Sequence, residues 1–303
     1  MTSTLNGSQD FKKLLLIINP VTARAAVTPA LIDVIDCFEK AGYRVSVHVT
    51  QYKNDTFDTV KRVGGDYDTV VCAGGDGTLN ETVSAAISLE KKPKVGYLPT
   101  GTTNDFAVSW GIPRKPLEAA RRIAEGEAVP TDVSMFCGRP YMYVAAFGAF
   151  TEASYSTPQA MKQNLGWSAY IIEGLKSVPS IRPIHMKLWF DGGEAEGDYL
   201  YGMVSNTRRV GGFDLRMRED ISLSDGLMEV ILIRKPDNPA DNAKMLGAVL
   251  MQDTSSEYIT FAHTARLSFE AEEPVSWTVD GENGGAVRTG EISVLHRAVE
   301  LFL

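Results

Sequence analysis

Cysteine is scarce: the 303 residues hold three, Cys37, Cys72 and Cys137. An odd number so widely spaced excludes a disulfide framework and a cysteine zinc cluster, and a reduced, cytoplasmic setting is expected. Long apolar runs are missing too. A membrane-spanning helix needs roughly 20 apolar residues, and the nearest approach, Tyr141 to Phe150, is diluted by Ala145, Ala146, Gly148 and Ala149. Basic charge is in deficit, with 30 Lys+Arg against 38 Asp+Glu and a net charge of -8. A field of that sign opposes non-specific nucleic-acid binding, so no nucleic-acid partner is expected. A local basic patch facing a membrane stays compatible with it. The opening MTSTLNGSQD has neither the basic start nor the apolar stretch of a secretory signal, and reads as a disordered tail. His48, His185, His263 and His296 are isolated, read as ordinary strand residues, and form no Ser/His/Asp arrangement. What is present is a globular composition, 44% apolar and 22% charged, in a chain long enough for two domains.

The first 128 residues alternate strand and helix signals. LLLII at 14–18 suits a buried parallel strand. Thr28-Pro29 is expected to cap the next helix, with Leu31, Ile32, Val34, Ile35 and Phe38 at helical spacing and Gly42 as the stop. A strand at 43–49, a helix at 54–63, strands at 67–73 and 94–98 and helices at 79–87, 104–110 and 117–124 follow. This alternation predicts an α/β domain with a parallel sheet covered on both faces. From about 129 to 303 strand-like runs dominate: 130–136, 139–147, 184–190, 198–205, 227–234, 258–270, 274–279 and 290–302. Helical stretches near 166–177 and 239–251 interrupt them, and the whole reads as a mainly antiparallel β domain.

The sharpest feature is Gly74-Gly75-Asp76-Gly77-Thr78-Leu79-Asn80-Glu81, placed between a strand and a helix. Its glycines suit a backbone that takes positive φ or lies against a ligand. The next helix offers its N–H groups and positive end there, which makes a phosphate cradle. It is not a P-loop, because GxxxxGK[ST] is absent. Pro99 to Ala107, with Thr100, Gly101, Asn104 and Asp105, follows the next strand, and Asn19-Pro20-Val21-Thr22-Ala23-Arg24 follows the first. Parallel strands would bring all three segments to one edge, where ligands of open α/β sheets bind. Asp280 and Glu282 stand two apart, so on extended chain they share a face, and a carboxylate there could accept a hydroxyl proton. A solvated hairpin end is the alternative for these two, and an ordinary Asp-Gly turn is the alternative for Asp225.

GGDGTLNE, LPTGTTNDFA and the Asn-Pro after the first strand resemble the diacylglycerol kinase catalytic domain, in the form of the bacterial soluble lipid kinases. The likeness extends through residues 147–176, SDGLMEV at 224–230 and Val279-Asp280-Gly281-Glu282. The glycine signature is shared with NAD kinases and, more distantly, phosphofructokinases. The resemblance implies a nucleotide-binding domain at 1–128 and a β-rich lipid-acceptor and metal domain at 129–303, with the active site in the cleft between them. It implies ATP on Asn19, Pro20, Val21, Thr22, Ala23, Thr50, Gly74, Gly75, Asp76, Gly77, Thr78, Leu79, Asn80 and Thr100. Asp76, Asp105 and Asp132 would form a carboxylate–water network around Mg2+. A structural metal would be held by Asp225 and the carbonyls of Ser222 and Leu227. Glu282 would be the base, with Asp280 positioning it or replacing it. Ala23 and Arg24 stand where the family often has glycine, so Ala23 needs negative φ, and Arg24 could bring charge to the phosphates.

The implied activity is phosphorylation of the hydroxyl of diacylglycerol, or a related lipid, to phosphatidic acid by a cytoplasmic enzyme peripheral to the membrane. An NAD kinase-like enzyme and a catalytically silent nucleotide-binding regulator are the rivals, and a homodimer stays open. Arg208, Arg209, Arg216 and Arg218 could meet anionic headgroups, grip the γ-phosphate or form a solvated loop. Trp167, Tyr170, Ile171 and Ile172 could line an acyl groove or belong to a core helix.

Overall fold

The computed structural model describes residues 11–149, 182–207, 209–210, 213–214 and 222–303. The tail at 1–10, the helix expected at 166–177 with Trp167, Tyr170, Ile171 and Ile172, Arg208, Arg216 and Arg218, and the side chains of Arg24 and Arg209 lie outside the described residues. The chain forms two compact units. One runs up to Val129 and takes in Val299–Leu303; the other is Pro130–Ala298.

The first unit alternates β1 (Lys12–Ile18), α1 (Pro20–Val27), α2 (Leu31–Lys40), β2 (Tyr43–Val49), α3 (Asp55–Val63), β3 (Thr69–Gly74), α4 (Asp76–Ala86), β4 (Lys94–Pro99), α5 (Asp105–Trp110) and α6 (Pro116–Glu125). The strands pair in parallel in the order β2-β1-β3-β4. Leu14 to Ile18 and all of β3 are buried, as expected of central strands covered on both faces. β2 closes the order and is half open, with Val47 and Val49 exposed despite their alternation. The helix start differs from the sequence reading. Thr28 caps nothing; it has helical backbone angles and enters a 3-10 turn at Thr28–Ala30. The helix expected from Leu31 to Phe38 is present as α2, and a further helix, α1, precedes it, because Asn19 caps it through the Val21 N–H and Pro20 fits the first turn. The Asn19–Ala23 segment is thus a helix N-terminus, and Ala23 is packed inside the fold.

The second unit contains β5 (Val129–Phe136), β6 (Arg139–Tyr141), β7 (Val144–Gly148), β8 (Ile184–Phe190), β9 (Gly193–Ser205), a two-rung ribbon of β10 (Arg209–Val210) and β11 (Phe213–Asp214), β12 (Met228–Arg234), α7 (Asn242–Met251), β13 (Ile259–Thr264), β14 (Arg266–Val279) and β15 (Glu282–Leu301). The runs expected at 258–270 and 274–279 are redistributed. The chain breaks at Ala265 instead, and β14 continues through a bulge after Glu270. β7 and β8 each pair antiparallel with both β9 and β14, so the sheet folds back around a core. Trp277 is the hub of that core, with Phe136, Phe147 and Phe269 ring centroids at 5.0, 4.8 and 4.8 Å. A second apolar cluster covers the other face of β9 and β12, where Met203, Ile231 and Ile233 meet Met245 and Val249 of α7.

Candidate functional site

Register places the expected nucleotide residues in one row. Ile18 pairs with Val49 and Ala73, and Gly74 pairs with Pro99. Asn19, Thr50, Gly74 and Thr100 therefore stand along the carboxyl edge of the parallel sheet. The loops there are bonded to each other. Asn19 N–H donates to the Ala73 carbonyl at 2.9 Å, Thr50 N–H to Ile18 O at 3.0 Å, and Thr100 and Gly101 N–H to Gly74 O at 2.7 and 3.1 Å. The Asn19 amide also donates to Thr78 Oγ1 at 3.3 Å.

The glycines answer to space rather than to φ: neither Gly74, Gly75 nor Gly77 takes a positive φ. A Cβ on Gly74 would lie 2.3 Å from Thr78 Oγ1, and one on Gly101 would lie 2.6 Å from Gly75 Cα. This close approach within the protein is a use of glycine beside the two expected, positive φ and contact with a ligand. Asp76 opens α4, and its carboxylate accepts the Asp105 and Phe106 N–H groups at 2.9 and 3.3 Å, holding the first turn of α5. Asn104, left-handed at φ 52°, ties the same loop: its Oδ1 accepts from Gly101 N–H and Tyr97 OH, and its Nδ2 donates to Gly101 O. Burial, then the nearby Asp76 charge, push the Tyr97 phenol up, so it serves as a neutral donor. The side chain of Leu79 is in the core, so only its backbone is available to a ligand.

Two observations fit a phosphate-bearing nucleotide at this edge. The N-termini of α1 and α4 both open there. The hydroxyls of Thr22 and Thr100 are buried without a hydrogen-bond partner. For the magnesium network the residues divide. Asp76 is a fixed carboxylate at the loop, the kind of charge a hydrated magnesium ion meets through its waters. Asp132 does not fit. Its side chain is fully enclosed; Oδ2 accepts Gly226 N–H, Oδ1 accepts Arg297 N–H, and His296 Nδ1 lies 3.1 Å from Oδ1. It serves instead to hold the 222–227 turn against β15. Within that turn Asp225 is exposed and accepts Leu227 N–H at 2.9 Å, and Gly226 has φ 80°. Among the described residues no three His, Cys, Asp or Glu side chains cluster to hold a metal directly.

Asp280 and Glu282 part company. Asp280 and Gly281 form a two-residue turn at φ 48° and 80° between β14 and β15, as in tight hairpins. The chain is not extended there, so the shared-face expectation fails. The Asp280 carboxylate turns onto the backbone and accepts Met142, Tyr143 and Val144 N–H at 2.8, 2.9 and 3.0 Å. Those bonds make it an anchor and a poor alternative base. Glu282 is exposed, with Arg139 Nη2 3.7 Å away. The sequence reading missed Arg139 and the roles of Asn104 and Tyr97; an Asn ahead of a short helix was the one signal available. The four histidines do lie on strands, and each stands beside a carboxylate: His48 with Asp55, His185 with Asp198, His263 with Glu229, His296 with Asp132.

A glycine-lined cradle at the strand ends of a parallel sheet defines a class: α/β proteins that bind phosphate-bearing ligands at that edge. Two family descriptions cover the chain, a diacylglycerol kinase catalytic domain over residues 13–136 and a YegS C-terminal NAD kinase beta sandwich-like domain over 146–303. A diacylglycerol kinase of Bacillus subtilis (strain 168) is 32% identical over 295 residues, covering 96% of each chain. One from Staphylococcus carnosus (strain TM300) is 31% identical, covering 90% of each. The chain belongs to the diacylglycerol kinase family. Its fold agrees: a crystal structure from Bacillus anthracis str. Sterne matches at TM-score 0.81 and 21% identity over 99% of this chain and 98% of that one. Another, of a diacylglycerol kinase from the same organism, matches at 0.75 and 20% over 97% of both.

Proposed function

We propose that the chain transfers the γ-phosphoryl group of ATP to the free hydroxyl of diacylglycerol, giving phosphatidic acid and ADP. The observation that carries this is the row of Asn19, Thr50, Gly74 and Thr100 on one sheet edge, in a chain 96% of which is matched by a diacylglycerol kinase. The α1 and α4 N-termini receive the phosphates, with Thr22 and Thr100 supplying hydroxyls. Mg2+, when bound, neutralises phosphate charge; Asp76 and Asp105 would hold it through water. Asp225 with the Ser222 and Leu227 carbonyls would hold a structural cation. The lipid oxygen bonds to γ-phosphorus as the bond to the β–γ bridging oxygen breaks. The hydroxyl proton passes to Glu282, whose exposed carboxylate can meet a substrate. On this reading the lipid is met by a peripheral enzyme on the cytoplasmic side; among the described residues no helix is long and apolar enough to cross a membrane.

The test supplies γ-labelled ATP and Mg2+ with diacylglycerol in detergent micelles, and NAD in parallel. Label in phosphatidic acid is the expected result. Label in NADP with none in lipid would transfer the chain to the NAD kinase reading, and label in neither, across lipids and metals, to the silent regulator.

A further inference from the structure

One rung of the second unit carries a polar row that no expected site residue explains. Val144 of β7 pairs with Ser205 of β9, Ser205 with Glu229 of β12, and Glu229 with His263 of β13. Directly opposed residues share a face. The row begins at the Asp280–Glu282 turn, because Asp280 N–H donates to Val144 O and Val144 N–H returns a bond to Asp280 Oδ1. At about 4.8 Å per strand, Ser205 stands about 10 Å from the backbone of that turn. A glycerol esterified at two positions spans such a distance.

Ser205 and Glu229 are wholly buried and Asn206 nearly so. Glu229 Oε2 accepts Thr207 N–H at 3.4 Å, and His263 Nδ1 is 3.9 Å from Oε1. The Ser205 hydroxyl and both amide atoms of Asn206 have no hydrogen-bond partner. A scaffold rarely buries an amide with both ends unbonded, since folding then loses the water it had without replacement. Along the same face Met203 and Ile231 are covered by α7, while the apolar side chains of Val144 and Phe261 stay partly open beside the row. Polar groups beside partly open apolar side chains suit an amphiphile, and the unbonded Ser205 hydroxyl and Asn206 amide, which can donate and accept, suit a head bearing both carbonyls and a hydroxyl.

We propose that Ser205, Asn206 and Glu229 form the subsite for the polar head of the lipid acceptor, an ester-bearing alcohol; this rests on the lipid-kinase reading above. Asn206 and Ser205 set acceptor affinity and do not touch ATP.

The experiment compares Asn206→Ala and Ser205→Ala with the wild type, using dioleoylglycerol micelles, ATP and Mg2+, together with ADP titration and thermal unfolding. The expected result is a KM for dioleoylglycerol raised about tenfold in Asn206→Ala, and less in Ser205→Ala, the loss of one ligand hydrogen bond. KM for ATP and ADP affinity stay at wild-type values, and neither variant melts lower, because no internal bond is removed. An unchanged lipid KM in both variants, in a wild type that phosphorylates the lipid, overturns the subsite alone. A lowered melting temperature with unchanged lipid KM overturns it in favour of a packing role. A wild type that phosphorylates no lipid overturns the parent reading and the subsite with it.

Discussion

Glu282 and Asp280 share a charge and differ in what they touch. Three backbone N–H groups hold Asp280, whereas Glu282 faces solvent beside Arg139. Glu282→Gln keeps the shape and removes the proton acceptor. Its kcat for lipid phosphorylation should fall about 10²–10⁴-fold, the range of general-base catalysis, with KM for ATP unaltered in steady-state assays. Asp55 shows the other use of a carboxylate. It accepts Gln51 N–H at 2.7 Å and the Thr59 hydroxyl at 3.1 Å, with His48 Nε2 at 3.2 Å, just beyond Thr50. Burial alone would raise its carboxyl, yet these bonds hold it below the ordinary aspartate value. The unfolded chain then takes up the proton first as pH falls, at about 3.9. Its stabilisation is complete above that pH and is lost as pH drops through the lower folded value. Asp55→Asn should be less stable than wild type at pH 7 by about 1–3 kcal/mol. The gap in denaturant melts should narrow below about pH 4.

At the scale of elements, the cradle depends on two loops meeting without side chains. Gly101→Ala would set a Cβ against Gly75 Cα and Asn104 Oδ1. Neither can yield easily, one being backbone and the other bound to Gly101 N–H and Tyr97. The expected cost is about 1–3 kcal/mol of stability, with weaker ADP binding by calorimetry. Much of this was legible: a strand, a glycine-rich turn and a helix follow from residues 69–86, and β1 and β3 from their apolar runs. The helix at Pro20 was hidden because Asn19 to Arg24 read as a ligand segment after the first strand, and the burial of Ala23 and Val27 that marks its inner face is set by packing. The Asp280-Gly281 turn is an Asp-Gly signal of known type; what the sequence withheld is that the carboxylate folds onto residues 142–144, over a hundred positions earlier.

At the scale of the whole molecule, the chain ends where it began. Val299–Leu303 belong to the first unit, although a single cut at 128 would leave them with the second. Leu301 pairs with Val95, Phe302 N–H donates to Val95 O at 3.0 Å, and both side chains are buried. Removing residues 299–303 should therefore destabilise the nucleotide-binding unit by about 5–9 kcal/mol, from the three buried apolar side chains Val299, Leu301 and Phe302 at about 1.5–3 kcal/mol each. Thermal unfolding with and without ADP measures this, since the transition lifted by ADP is the one that should drop.

The sequence by itself determined the alternation of strand and helix, the change to β structure near residue 129 and the glycine turn, because periodicity and glycine content act over a few residues. Tertiary structure alone decided that Asp132 is sealed by Gly226 and Arg297, that Asp280 is an anchor, and that Ser205 lines up with Glu229. Each of these depends on which distant backbone arrives within hydrogen-bond reach, and strand register, not local composition, sets that.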